Sequence, residues 1–256
     1  MKRTLQFSIR FAILTMTLFA CVVGLYYRKL APFYAEHAAI LALTKIGSVR
    51  VEYVPARIDP VSRWILGQSY SRHVSSLILR GAAFDDRAMR HLRAFRHLRS
   101  LQLWWLKISC DGLTHIPVNR NLEGLGIRFI LLNPGYVRQV IRFAPNVKRL
   151  RLEATGLTDT AVKTLMTSIS ITHLSLQQES ITDASLPYFA GQRDLELLDI
   201  AESEITDAVL LVAQALPRLS YLCVMGTQVS QDGHAQLRVL ANMRRGFSFD
   251  PVVWRP

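Results

Sequence analysis

A chain of 256 residues, half of them hydrophobic and a fifth charged, holds enough apolar side chain for one or two packed domains, which excludes a disordered polar polymer. The formal charge of +12 is lopsided: residues 1–146 carry 21 Lys/Arg against seven Asp/Glu, and residues 195–242 carry two against six. Such asymmetry concerns partners and surfaces, not fold, and three scattered cysteines (Cys21, Cys110, Cys223) exclude a disulfide framework.

Residues 11–27 run without a charge between Arg10 and the Arg28-Lys29 pair. As a helix rising 1.5 Å per residue the segment is ~25 Å long, close to the lower limit for crossing a bilayer. Snorkelling by Arg10 and an interfacial Tyr26-Tyr27 pair would extend it. The expectation is an uncleaved signal anchor over residues 1–30. It contains a single-pass transmembrane helix at about 11–27 and leaves the rest of the chain on the non-cytoplasmic side. A cleaved signal peptide is one alternative. Lipidation of Cys21 is another, since Leu18-Phe19-Ala20-Cys21 resembles a bacterial lipobox, although Phe19 is bulky for it and residues 22–27 stay apolar.

Residues 31–73 read as a connector. Pro32 suits a first helical turn, Ala35, Ala39, Ile40, Leu43 and Ile46 fall at helical spacing, and Gly47 ends the helix. Val49, Val51 and Tyr53 alternate with Arg50 and Glu52 as a strand does. Trp64, Ile65 and Leu66 offer apolar cover, and the expected job of the segment is to cap the open end of a repeat array that begins at Val74.

From Val74 an L-x-x-L-x-L pattern recurs. The triplets are Val74/Leu77/Leu79, Leu98/Leu101/Leu103, Leu122/Leu125/Ile127, Val147/Leu150/Leu152, Ile171/Leu174/Leu176, Leu195/Leu198/Ile200 and Leu219/Leu222/Val224. Their regular spacing, about 24 residues, lies within the range of short solenoid repeats. A degenerate eighth unit places Phe247 and Phe249 inward after a further slip. The second half of each unit repeats too. Leu157-Thr158-Asp159, Ile181-Thr182-Asp183 and Ile205-Thr206-Asp207 align, each followed by an apolar helix face. The second unit is short on its helical side because Pro117 stops a helix begun near Asp111. The third carries Asn133-Pro134-Gly135 instead of Thr-Asp, which predicts an irregular turn before a helix from about Tyr136 to Phe143.

These motifs resemble the I-T-D-x-(G/A)-L form of leucine-rich repeat, and the layout is similar to small bacterial membrane-anchored leucine-rich-repeat proteins. The resemblance covers nearly the whole chain and speaks to architecture. It implies an α/β leucine-rich-repeat solenoid over residues 74–256, built of seven or eight such repeats. Parallel strands line one face and helices the other, preceded by the transmembrane helix and the α/β cap.

Chemistry is sparse. Asp159, Asp183 and Asp207 should stack as a column at helix starts. Their Thr neighbours fit helix capping better than a calcium ladder. No zinc motif, Walker loop or G-x-S-x-G elbow occurs, and the seven histidines show no ligand spacing, with His91 and His97 read as solvated. The expectation is therefore no enzyme, no cofactor and no metal. Arg87, Arg90, Arg93, Arg96 and Arg99 follow a three-residue stride. They suggest an ordinary solvated face or contact with an anionic surface, and no nucleic-acid module accompanies them.

The function these features suggest is a membrane-anchored interaction module binding another protein or a cell-envelope component. The runner-up is a scaffold that meets anionic surfaces through its basic N-terminal half. Residues flanking the inward leucines should face solvent on the strand side. In the first four units these include Arg80, Trp104, Arg128, Arg149 and Arg151, the candidate binding residues, with Gly124 and Gly126 leaving the strand bare between them. Later units contribute His173/Ser175/Gln177, Leu197/Asp199/Ala201 and Tyr221/Cys223/Met225.

Overall fold

Apolar residues at alternate positions of short, regularly recurring segments make strands that stack in chain order. The computed structural model describes residues 2–25, 31–55, 72–133, 135–244 and 246–250. Its strands are β1 (Ser48–Pro55), β2 (Arg72–Arg80), β3 (Ser100–Trp104), β4 (Gly124–Arg128), β5 (Arg149–Glu153), β6 (His173–Gln177), β7 (Leu197–Asp199), β8 (Tyr221–Cys223) and β9 (Ser248–Asp250). They form one sheet in the order β1 to β9, antiparallel between β1 and β2 and parallel thereafter. The register joins equivalent leucines. Leu77 pairs with Leu101, followed by Leu125, Leu150 and Leu174, and a second ladder runs Leu79, Leu103, Ile127, Leu152, Leu176. All ten are buried, each worth ~1.5–3 kcal/mol, so every strand depends on its neighbours for its apolar face. In the last pair Phe249 sits beside Leu222, 27 residues on, so the register slips further than the single residue expected there and Phe249, not Phe247, takes the place of Leu222.

The helices are α1 (Lys2–Leu25), α2 (Ala31–Ile46), α3 (Cys110–Thr114), α4 (Tyr136–Phe143), α5 (Asp159–Ser168), α6 (Leu186–Ala190), α7 (Val209–Ala215) and α8 (Gln231–Met243), with a 3-10 helix at Ala88–Ala94. From the 3-10 helix onward they cover the sheet's apolar face; the 3-10 helix packs on α2, and from α3 onward the helices pack on one another in sequence. α3 is short, as Pro117 requires. Its last carbonyls are met from the next unit, where Arg142 Nη2 donates to the carbonyls of Leu113, Thr114 and Ile116 at 3.0–3.2 Å. Ahead of α4, Asn133 Oδ1 accepts from the Gly135 amide at 2.8 Å, which replaces the missing Thr-Asp cap. Trp64, Ile65 and Leu66 lie outside the described residues.

The aspartates of the Thr-Asp motif clasp consecutive units. Asp159 Oδ1 and Oδ2 accept from the Thr182 amide (2.9 Å) and hydroxyl (2.8 Å) of the next unit, and Oδ1 also accepts from Ser185 Oγ (2.5 Å). Asp183 does the same to Thr206, Asp207 to Ser230, and Asp86 to Ser109. Each carboxylate thus serves the cap of the following helix more than its own, so the column is a chain of inter-unit clasps. The pattern lapses where Cys110 and Pro134 stand in place of the aspartate.

The N-terminal expectation is corrected. α1 has 24 residues, yet no helix among the described residues is long and apolar enough to cross a membrane. Over the described part of α1 the uncharged run from Phe11 to Leu25 spans ~22 Å of helix, against a ~30 Å hydrocarbon core. The single-pass anchor at 11–27 and the placement of the repeats on a non-cytoplasmic side fall with it. Cys21 is exposed on α1.

Candidate functional site

The solvent face of β3–β6 is a grid set by the strand register. One row across the strands reads Ser100, Gly124, Arg149, His173, the next Gln102, Gly126, Arg151, Ser175, and the third Trp104, Arg128, Glu153, Gln177. Side chains from all three rows line a cavity of about 340 Å³, with Trp104 at one wall, Arg149, Arg151 and His173 opposite, and Leu197 beyond. Three of the five residues anticipated for this face, Trp104, Arg149 and Arg151, therefore meet at one cavity.

The other two do not. Arg128 is ion-paired with the buried Glu153, and its guanidinium lies 5.0 Å from the Trp104 ring centroid. Arg80 turns away to cover Trp105 at 4.5 Å. The glycines are also less bare than their sequence suggests: Gln102 lies over Gly126, where an added Cβ would collide with its carboxamide, and Arg149 leans beside Gly124. Farther along the sheet, Ser175, Asp199, Ala201 and Cys223 are buried, although alternation places them on the strand face. Asp199 accepts from Ser175 and Gln177, which closes the surface past β6.

Two cations consequently remain available. Arg149 reaches Glu123 only at 4.0 Å with both side chains half-exposed, a pairing worth little in water. Arg151 is exposed and makes no ion pair among the described residues. The indole Nε1 of Trp104, a residue of the cavity wall, is buried without a hydrogen-bond partner.

Two further features had little signal in the sequence. The residue after each of the strands β2–β6, and the third residue after the shorter β7 and β8, adopts a left-handed backbone. The column runs Gly81, Trp105, Phe129, Ala154, Gln178, Glu202 and Gly226, with φ from +51° to +57° at the five that are not glycine. Bulky residues pay strain there, and Trp105 and Phe129 recover part of it by stacking with centroids 4.9 Å apart and planes within 3°. At the N-terminal end His97 is exposed, as expected, and its ring lies against that of His73 with centroids 4.0 Å apart and planes tilted by 32°, while His73 Nδ1 lies 3.3 Å from the buried Glu36. Partial burial and the neighbouring His73 push the His97 imidazole below its ordinary range. Among the described residues no group of three or more His, Cys, Asp or Glu is placed to hold a metal ion.

Comparison with family models and with curated proteins gave no match for this chain.

Proposed function

We propose that this chain is a leucine-rich-repeat interaction module without catalytic activity, whose β3–β6 face binds an acidic, extended segment of another protein. The observation that carries this reading is the pair Arg149 and Arg151, side by side on β5 at a cavity wall and left without a close carboxylate. A strand-like ligand could lie across the cavity with carboxylates against the two guanidinium groups and an apolar side chain against Trp104 and Leu197.

A second reading is favoured by one detail of the opposite face. The helix at Ala88–Ala94 is 3-10, so residues three apart eclipse, and Arg87, Arg90 and Arg93 line up as one exposed basic edge suited to an anionic surface. A fluorescein-labelled hexaglutamate peptide, titrated against the full chain by anisotropy, separates the two. The strand-face reading expects Arg149→Glu/Arg151→Glu to weaken binding at least ~tenfold and Arg90→Glu/Arg93→Glu to leave it within ~twofold. The reverse outcome assigns the basic edge instead, and equal loss in both variants removes any distinct site.

A further inference from the structure

Among the described residues the sheet ends in two edges that no strand completes, the three-residue β9 and the longer, eight-residue β1. β1 pairs with β2 on one side, and none of the described residues pairs with its other edge. The Glu52 carbonyl is turned toward β2, where Ser75 Oγ donates to it at 3.2 Å. By strand alternation, Val49 and Val51 then carry the backbone groups directed outward. An eight-residue edge with outward N–H and C=O groups is a template for another strand.

The side chains of β1 state which strand would fit. The sequence from Ser48 to Pro55 is S-V-R-V-E-Y-V-P, and Val51 stands midway between Arg50 and Glu52. Two copies paired antiparallel about a two-fold axis at Val51 place Arg50 opposite Glu52 twice, Val49 opposite Tyr53 twice, and Val51 opposite itself. Shifting the axis to residue 50 or 52 sets Arg50 against Arg50, or Glu52 against Glu52. Charge therefore selects one register among the neighbouring two-fold arrangements. Neither charge is satisfied by an ion pair among the described residues: Arg50 lies across from Ile78 and Glu52 from Ser76. In this register the paired stretch runs from 48 to 54, so Pro55, which has no N–H to donate, falls just beyond it.

We infer that β1 is a self-complementary dimerisation edge, at which a second copy of this chain continues the sheet across a two-fold axis through Val51. The two nine-stranded sheets become one, and the α2 layers, each exposing Ala38 and Leu41, come side by side on the same face. This goes beyond the ligand-binding reading and does not depend on it, since β1 lies at the end of the sheet and the cavity on β3–β6.

The test is sedimentation velocity of the full chain over a range of protein concentration, with folding checked by circular dichroism. Arg50→Glu and Glu52→Arg each turn both cross-strand pairs repulsive and should weaken self-association at least ~tenfold. A one-to-one mixture of the two variants makes every pair attractive again and should form a heterodimer, and the double variant Arg50→Glu/Glu52→Arg should dimerise by itself. A wild type that stays monomeric throughout overturns the inference. Association that persists in both single variants, as it would if the exposed apolar side chains of α1 drove it, overturns it equally, as does a mixture no more associated than its components.

Discussion

The inter-unit clasp is most exposed to test at Asp159. Replacing it by alanine removes three accepted hydrogen bonds, from the Thr182 amide, the Thr182 hydroxyl and the Ser185 hydroxyl. Ser185 is fully buried, so its hydroxyl is left with no replacement from water, whereas Thr182 is half-exposed and can be partly resolvated. A buried donor left unmatched costs ~1–3 kcal/mol and a partly hydrated one less, which sums to ~2–4 kcal/mol. Asp159→Asn should cost under ~1 kcal/mol. One amide oxygen can keep the two bonds that Oδ1 accepts, and the amide N–H₂ can donate to the Thr182 hydroxyl. Asp183→Ala, which frees only the Thr206 amide and hydroxyl, should fall between them at ~1–2 kcal/mol. Stacked units can unfold piecewise, so urea unfolding should be paired with hydrogen exchange at the Thr182 amide. That amide should lose protection in the alanine variant and keep it in the asparagine one. A loss below ~0.5 kcal/mol, or equal losses for alanine and asparagine, would refute the clasp.

Ala154 occupies the left-handed column with φ +51°. Relief of ~1–2 kcal/mol of strain by Ala154→Gly exceeds the ~0.5–1 kcal/mol of added unfolded-state entropy, so thermal unfolding should move upward, and a fall in stability would contradict the strain argument. Glu179 is buried and accepts from the Thr155 amide and hydroxyl and the Leu157 amide; burial outweighs these bonds and raises its carboxyl above the ordinary 4.5. A raised carboxyl pKa means stability that is complete below the unfolded value and declines as pH rises through the folded one. The wild type's margin over Glu179→Gln should therefore shrink as pH increases from about 4 to 7. A margin that grows with pH would show that the hydrogen bonds dominate instead.

How far the sequence reaches depends on whether a property is carried by one segment or by the contact of two. The strand positions, the α4 boundaries from Tyr136 to Phe143 and the short α3 ahead of Pro117 follow from periodicity and breakers within a single repeat, and they are found where those signals place them. Interior leucines are legible because a buried aliphatic has few alternatives at its position. The partner of a surface residue lies a full repeat away on the next strand, and that distance hides its fate. Trp104 and Arg128 read as two open hot-spot residues but are stacked on each other, and Gly126 reads as bare backbone but lies under Gln102. The uncharged run at residues 11–27 suggested a membrane span, yet α1 presents too short an apolar length for one.

What the sequence by itself determined is the repeat period, the inward ladders and the presence of Thr-Asp signals at helix starts, because each is a local pattern of burial or backbone capping. Only the tertiary structure decided that each aspartate serves the following unit, since the acceptor and its donors are 23 residues apart and meet only when the strands stack. It likewise decided that Arg149 and Arg151 keep their charges available while Arg128 does not. A guanidinium is neutralised by whatever carboxylate the register sets beside it, and the register brings Glu153 to Arg128 but Gly124 and His173 to Arg149, and Gly126 and Ser175 to Arg151.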